Sequence, residues 1–180
     1  SKGGVGALFY KYVGNFIREM LINRKLQKKL KNHEFTILCS NCNGGKIYHD
    51  LHVKFDTPTI NLYMFPEDFV KFCENISYYV TLELSEFKSE LEFPVGRLGD
   101  IKIYFNHAGT FTEAKEEWDR RKERIHFENI FLMMTEFRGC TYELLKRFDK
   151  LPYPKVVFTA FPYREIGSAV FLSDYFRQKY

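Results

Sequence analysis

Apolar and polar positions along the chain alternate in two rhythms, one of about 3.6 residues and one of two, and the rhythms take turns. Over residues 7–31 the apolar positions Phe9, Val13, Phe16, Met20, Leu26 and Leu30 recur at roughly helical spacing. This predicts an amphipathic helix, stopped by Asn32 and His33. Residues 35–40 are nearly all apolar or β-forming, which predicts a strand buried on both faces, as in a parallel sheet. A short helix over 46–53 and a strand over 59–63 follow, and then a helix opened by Pro66, Glu67 and Asp68. The pattern over 77–86 fits either a continued helix or a strand, and 91–100 reads as turns. Beyond it are a strand over 101–106, a strong helix over 111–125 capped by Thr110 or Thr112, and a strand over 129–135. A helix over 141–149, a strand over 155–160 and a last short strand or helix over 166–175 complete the chain.

Strands separated by helices argue for parallel βαβ connections. The expected fold class is therefore α/β: a three-layer α/β/α sandwich with a mostly parallel or mixed sheet, preceded by the N-terminal helix. At 180 residues, without a repeat or a low-complexity linker, residues 1–180 read as a single domain on which the helix over 7–31 packs. The opening Ser1-Lys2-Gly3-Gly4 reads as a processed or truncated end and is left out of the fold reasoning.

Composition narrows this picture little. Hydrophobic residues make up 45% and charged residues 28%, as in ordinary globular proteins, while the aromatic share of 18% is high. No apolar run reaches the roughly 20 residues that span a bilayer, so no transmembrane segment is expected. The net charge of +4 is concentrated at Arg24, Lys25, Lys28, Lys29 and Lys31. That basic end suits a solvated helix terminus or peripheral contact with an anionic membrane surface, and no nucleic-acid motif accompanies it. Cys39 and Cys42 have CxxC spacing, but Cys39 belongs to the strand and no further ligand pair is present, so no metal site is expected. The thiols read as reduced and the compartment as cytoplasmic.

The candidate chemistry lies where the strands end, because the ends of parallel strands gather along one ligand-binding edge. After the first strand come Asn41, Cys42, Asn43, Gly44 and Gly45. Asn61 and Tyr63 stand at the second, Asn106 and His107 after the third, and Thr135, Glu136 and Arg138 after the fourth. A thiol just ahead of a helix is expected to have a lowered pKa, and the Gly44 and Gly45 amides are candidate oxyanion donors. Cys42 is thus the candidate nucleophile, with His49 or His107 as its base. The plainer alternative is a turn with an incidental thiol. Arg121 and Arg124 share a helix face and are candidates for gripping a phosphate or carboxylate, against pairing with acids of their own helix.

The run Ser40-Asn41-Cys42-Asn43-Gly44-Gly45 with Tyr48-His49-Asp50 resembles the bacterial DUF1919 family. So do residues 58–63, 66–69 and 94–101, Trp118 with Arg121 and Arg124, and Phe148-Asp149. The resemblance covers most of the chain from about Leu26 onward. It implies a single α/β domain, and members are often labelled exopolysaccharide or capsule biosynthesis proteins. The Asn41-Cys42 pair also resembles the Gly-Asn-Cys loop of a polysaccharide acetyltransferase family from capsule clusters, with Ser40 in place of that glycine. Together these imply an enzyme of surface-polysaccharide assembly, an acyltransferase with acyl-CoA as candidate cofactor. The alternative is a non-catalytic binder of a carbohydrate or nucleotide sugar, with Tyr48, Tyr63 and Tyr104 stacking on the ligand and Asn41 and Asn61 binding hydroxyls. A glycosyltransferase ranks lower, since no DxD-type motif is evident. Oligomeric state is not readable from the sequence.

Overall fold

The computed structural model describes residues 24–172. The part of the predicted N-terminal helix before residue 24 lies outside them, and its end is α1 (Arg24–Lys29). Two sheets organise the rest. The first is parallel, with strand order β1-β5-β6-β7. It comprises β1 (Thr36–Cys39), β5 (Ile130–Thr135), β6 (Lys155–Thr159) and β7 (Ala169–Phe171). Registers run Thr36↔Ile130 to Cys39↔Met133, and Leu132↔Lys155 to Thr135↔Phe158. The protein is an α/β fold with a sheet of each kind.

Period-two alternation sends the side chains of this sheet into two cores. Leu38, Leu132, Met134 and Val157 point into the larger, where α3 (Pro66–Glu74) and α6 (Tyr142–Asp149) contribute Phe69, Phe72, Leu145 and Phe148. Ile37, Cys39 and Met133 point the other way, under Tyr48 of α2 (Asn43–Leu51). Burial on both faces explains why β1 reads as a continuous apolar run.

β1 is an edge strand, and its outward N–H groups are capped by side chains. Ile37 N–H donates to the Tyr48 hydroxyl at 2.7 Å, and Cys39 N–H to Thr59 Oγ1 at 2.9 Å. Such covering keeps an edge from pairing with another chain.

The second sheet departs from the expected single sandwich. β2 (Ser85–Glu86), β3 (Val95–Leu98) and β4 (Ile101–Tyr104) are antiparallel. The strand expected over 101–106 therefore belongs to a hairpin rather than to the parallel sheet. Its cause is Gly99, which adopts φ +62 between the paired residues Leu98 and Ile101. A two-residue loop with glycine first turns a chain back on itself, leaving no length for a crossover helix. The strand expected over 59–63 also fails to form. Asn61 has φ +60, which breaks extended backbone, and only Tyr63 makes a ladder contact, with Tyr104. The ambiguous stretch over 77–86 resolves into the end of a short helix, α4 (Ile76–Tyr79), followed by β2.

The long helix α5 (Phe111–Lys122) starts on a full capping box, with Thr110 Oγ1 accepting from Glu113 N–H and Glu113 reaching back to Thr110 N–H. Its buried face is narrow, with Ala114 and Trp118 reaching the core.

α2 lies so close to β1 that a Cβ on Gly44 would stand 2.9 Å from the Cβ of Cys39, whereas one on Gly45 would meet nothing within 4 Å. Two neighbouring glycines thus have opposite tolerances. Gly44→Ala is expected to destabilise the protein by about 1–3 kcal/mol, since backbone-anchored atoms on both sides must shift. Gly45→Ala is expected to be neutral or to stabilise by about 0.5–1 kcal/mol through helix propensity. Chemical denaturation of the two variants beside the parent chain measures this; equal effects would contradict it.

Candidate active site

β1 ends beside β5, and the junction is tied by side chains. Ser40 Oγ accepts from Thr135 N–H at 3.2 Å, and Asn41 Nδ2 donates to Thr135 Oγ1 at 3.0 Å. Asn41 Oδ1 also accepts from the Cys39 thiol at 3.4 Å. With the backbone held in this way, Cys42 becomes the N-cap residue of α2, in a helical conformation (φ −66, ψ −6). Asn43, next in line, opens the helix.

The half-buried Cys42 sulfur lies 3.4 Å from His107 Nε2 and 3.8 Å from the Leu62 carbonyl oxygen. His107 arrives from the loop after β4, a different sheet. His49, the alternative base, sits in the last turn of α2 with its side chain 75% exposed, 3.7 Å from Asp50 and edge-on to His52.

Cys42 departs from the expected low pKa. Its thiol is pushed above the ordinary value, chiefly by burial, with partial relief from the Asn106 side chain and its own backbone N–H. Desolvation disfavours the thiolate and here outweighs the helix dipole. The Gly44 N–H, expected to serve an oxyanion beside Cys42, instead faces the fully buried Cys39, whose thiol burial pushes up to about 11. Asn106, placed by the sequence only among the polar residues at a strand end, is the side chain that lowers the Cys42 pKa against the effect of burial.

Alongside His107 opens a cleft of about 360 Å³ between residues 58–62, the loop at 105–108 and one face of α5. Asn61 stands at its rim, exposed by its left-handed turn. Arg121 lines the cleft but is already engaged: Nη1 donates to Glu117 Oε2 at 2.7 Å and to the Ile60 carbonyl at 3.3 Å. Burial lowers the Arg121 pKa, and its side chain is only 14% exposed. Arg120, rather than Arg124, is the second arginine lining the cleft.

The remaining candidates are placed elsewhere. Glu136 accepts from Ala160 N–H at 2.6 Å and from the Tyr163 hydroxyl at 3.0 Å, which ties β5 to the turn after β6. Tyr63 stacks on Tyr104 with centroids 4.8 Å apart, and Phe65 meets Tyr104 edge-on, forming a partly exposed aromatic shelf. Tyr48 cannot stack on a ligand: it is 1% exposed, its hydroxyl accepting from Ile37 and donating to the Phe35 carbonyl. No helix among the described residues is long and apolar enough to cross a membrane.

Residues 13–180 match the model of a family described as a domain of unknown function, DUF1919. The chain belongs to the DUF1919 family. The chain is also similar to an uncharacterized protein of Haemophilus influenzae, 40% identical over 162 residues, which cover 89% of this chain and 79% of that protein. The Cys42–His107 pair, the cleft and the aromatic shelf all lie within the part of the chain matched to DUF1919.

The raised Cys42 pKa has a direct consequence for reactivity. Alkylation by iodoacetamide is expected to be slow at neutral pH and to rise with an inflection above the usual thiol range. Asn106→Ala removes an N–H donor from the thiolate and should move that inflection higher still. Mass spectrometry of Cys42 labelling against pH checks both; an inflection at or below neutrality would contradict the burial argument.

Proposed function

We propose that this protein is an acyltransferase that carries the acyl group on Cys42, with His107 as general base and a saccharide of surface-polysaccharide assembly as acceptor. The observation that carries the reading is the 3.4 Å contact between Cys42 Sγ and His107 Nε2 beside an open cleft. A thiol whose pKa is raised by burial rests protonated, so it needs a base within reach at the moment of attack. His107 stands in hydrogen-bonding distance for that task.

In this scheme the Cys42 sulfur attacks the carbonyl of an acyl thioester such as acyl-CoA while its proton passes to His107. The thioester bond breaks, and the leaving thiolate takes the proton from His107. An acceptor hydroxyl then attacks the Cys42 thioester and gives its proton to His107, which returns it to the departing Cys42 sulfur. The Asn106 side-chain N–H, which lowers the Cys42 pKa, is the candidate donor to charge developing beside Cys42. The acceptor class draws on the resemblance to proteins labelled for exopolysaccharide or capsule biosynthesis.

A second reading, a non-catalytic binder of a carbohydrate or nucleotide sugar, draws on the same raised thiol, which packs against Leu62 and His107 as a half-buried polar contact. Acetyl-CoA with a panel of neutral saccharides separates the two. The acyltransferase reading expects an acetyl adduct on Cys42 that hydroxylamine releases, and no turnover in Cys42→Ala. It expects a loss of about 10²–10⁴-fold in His107→Asn and little change in His49→Ala. Equal turnover in the parent and Cys42→Ala would remove the thiol from the mechanism.

A further inference from the structure

The cleft has a chemistry of its own. Its floor is apolar and buried, formed by Pro58, Ile60, Leu62, Phe105 and Trp118. Its rim is made of planar polar groups: the Asn61 carboxamide, the His107 imidazole, the Glu116 and Glu117 carboxylates and the Arg120 and Arg121 guanidinium groups. Glu113 also lines it, although its carboxylate is held by the Gly109 and Thr110 N–H groups at 3.1 and 3.2 Å.

The arrangement of charge decides what fits. Both arginines face one acid: Arg121 Nη1 lies 2.7 Å from Glu117 Oε2, and Arg120 Nη2 3.9 Å from Glu117 Oε1. Arg121 is further committed to the Ile60 carbonyl. A phosphate entering here would have to break these pairs and would face the carboxylates of Glu113, Glu116 and Glu117. Tight anion sites are built the other way, with donors in excess. A hydroxyl-rich ligand can donate to the carboxylates and the Asn61 oxygen, and accept from the arginines and the Asn61 amide, without disturbing the balance. Its C–H surface would meet the apolar floor. That floor includes the buried Trp118, whose indole N–H has no hydrogen-bond partner among the described residues.

We propose that this cleft is a binding site for a neutral saccharide and that it excludes polyanions, so the phosphates of an acyl-CoA donor stay outside it. The binding site stands on the cleft alone. That a ligand hydroxyl is there for acylation rests on the Cys42–His107 reading, because His107 belongs to both the thiol pair and the cleft.

Trp118 is the sole tryptophan, so its fluorescence reports on the cleft without labelling. The full chain is titrated with neutral hexoses, N-acetylhexosamines and their disaccharides, and separately with coenzyme A and UDP. A saturable change with a neutral saccharide is expected, insensitive to added salt. Binding should weaken by about tenfold in Glu116→Ala, which removes an exposed rim carboxylate. Asn61→Gly, which keeps the left-handed backbone, should weaken it similarly, and circular dichroism confirms that both variants fold. Cys42→Ala should bind like the parent, so loss of turnover with retained binding separates catalysis from recognition. The proposal is overturned if no neutral saccharide perturbs Trp118 at concentrations on the order of tens of millimolar. It is equally overturned if coenzyme A or UDP gives the saturable change and salt abolishes it.

Discussion

Two backbone hydrogen bonds between Tyr63 and Tyr104, each 2.9 Å, join the parallel sheet's flank to the antiparallel sheet. The segment carrying Tyr63 is itself fixed to β1, where Met64 N–H donates to the Ser40 carbonyl at 3.0 Å and Thr59 caps Cys39 N–H. Because Tyr104 is three residues before His107, this bridge is what delivers the imidazole to the end of β1. Without it, the thiol and the base would be related only through the hydrophobic core that the two sheets share. The aromatic stack of Tyr63 on Tyr104 reinforces the same crossing point.

The two cysteines of the CxxC spacing show how much a few residues of path can change chemistry. Cys39 lies in the strand, fully buried beneath α2, with the Asn41 and Gly44 N–H groups facing its thiol. Cys42 lies at the helix start, but its sulfur turns toward Leu62 and His107. The Gly44 amide, expected beside Cys42, therefore serves the inert thiol, and burial decides the direction of both pKa shifts. On the proposed acyltransferase reading, a neighbouring base rather than a resting thiolate is then the route to reactivity at Cys42.

α5 serves two ends at once. Ala114 and Trp118 hold it against the core, while Glu117 and Arg121, a turn apart, brace one another along one wall of the cleft, and Arg121 anchors the turn at Ile60. The mutual pairing removes both charges from easy use by a ligand. It makes the helix face a wall of balanced charge, and of the two roles the sequence offers Arg121, gripping an anion or pairing with an acid of its own helix, the structure shows the pairing.

The α/β class was legible from alternation alone, because a strand buried on both faces and helices with one apolar stripe leave different periods in the chain. The polar strand ends were legible too, since Asn41, Cys42, Asn106 and His107 each follow an apolar β-forming run. The sequence by itself could not say that the strand before His107 turns back in a hairpin, for that rests on the left-handed backbone at Gly99. Nor could it say that Asn61 would break its strand and open the cleft rim. Which imidazole meets Cys42 was decided by tertiary structure alone: His49 is near in sequence, yet the helix carries it to an exposed last turn. His107 is far in sequence, but a sheet-to-sheet backbone bridge brings it within reach of the sulfur. Local pattern determines elements; contacts between elements, made by backbone groups identical in every residue, leave no mark in the pattern.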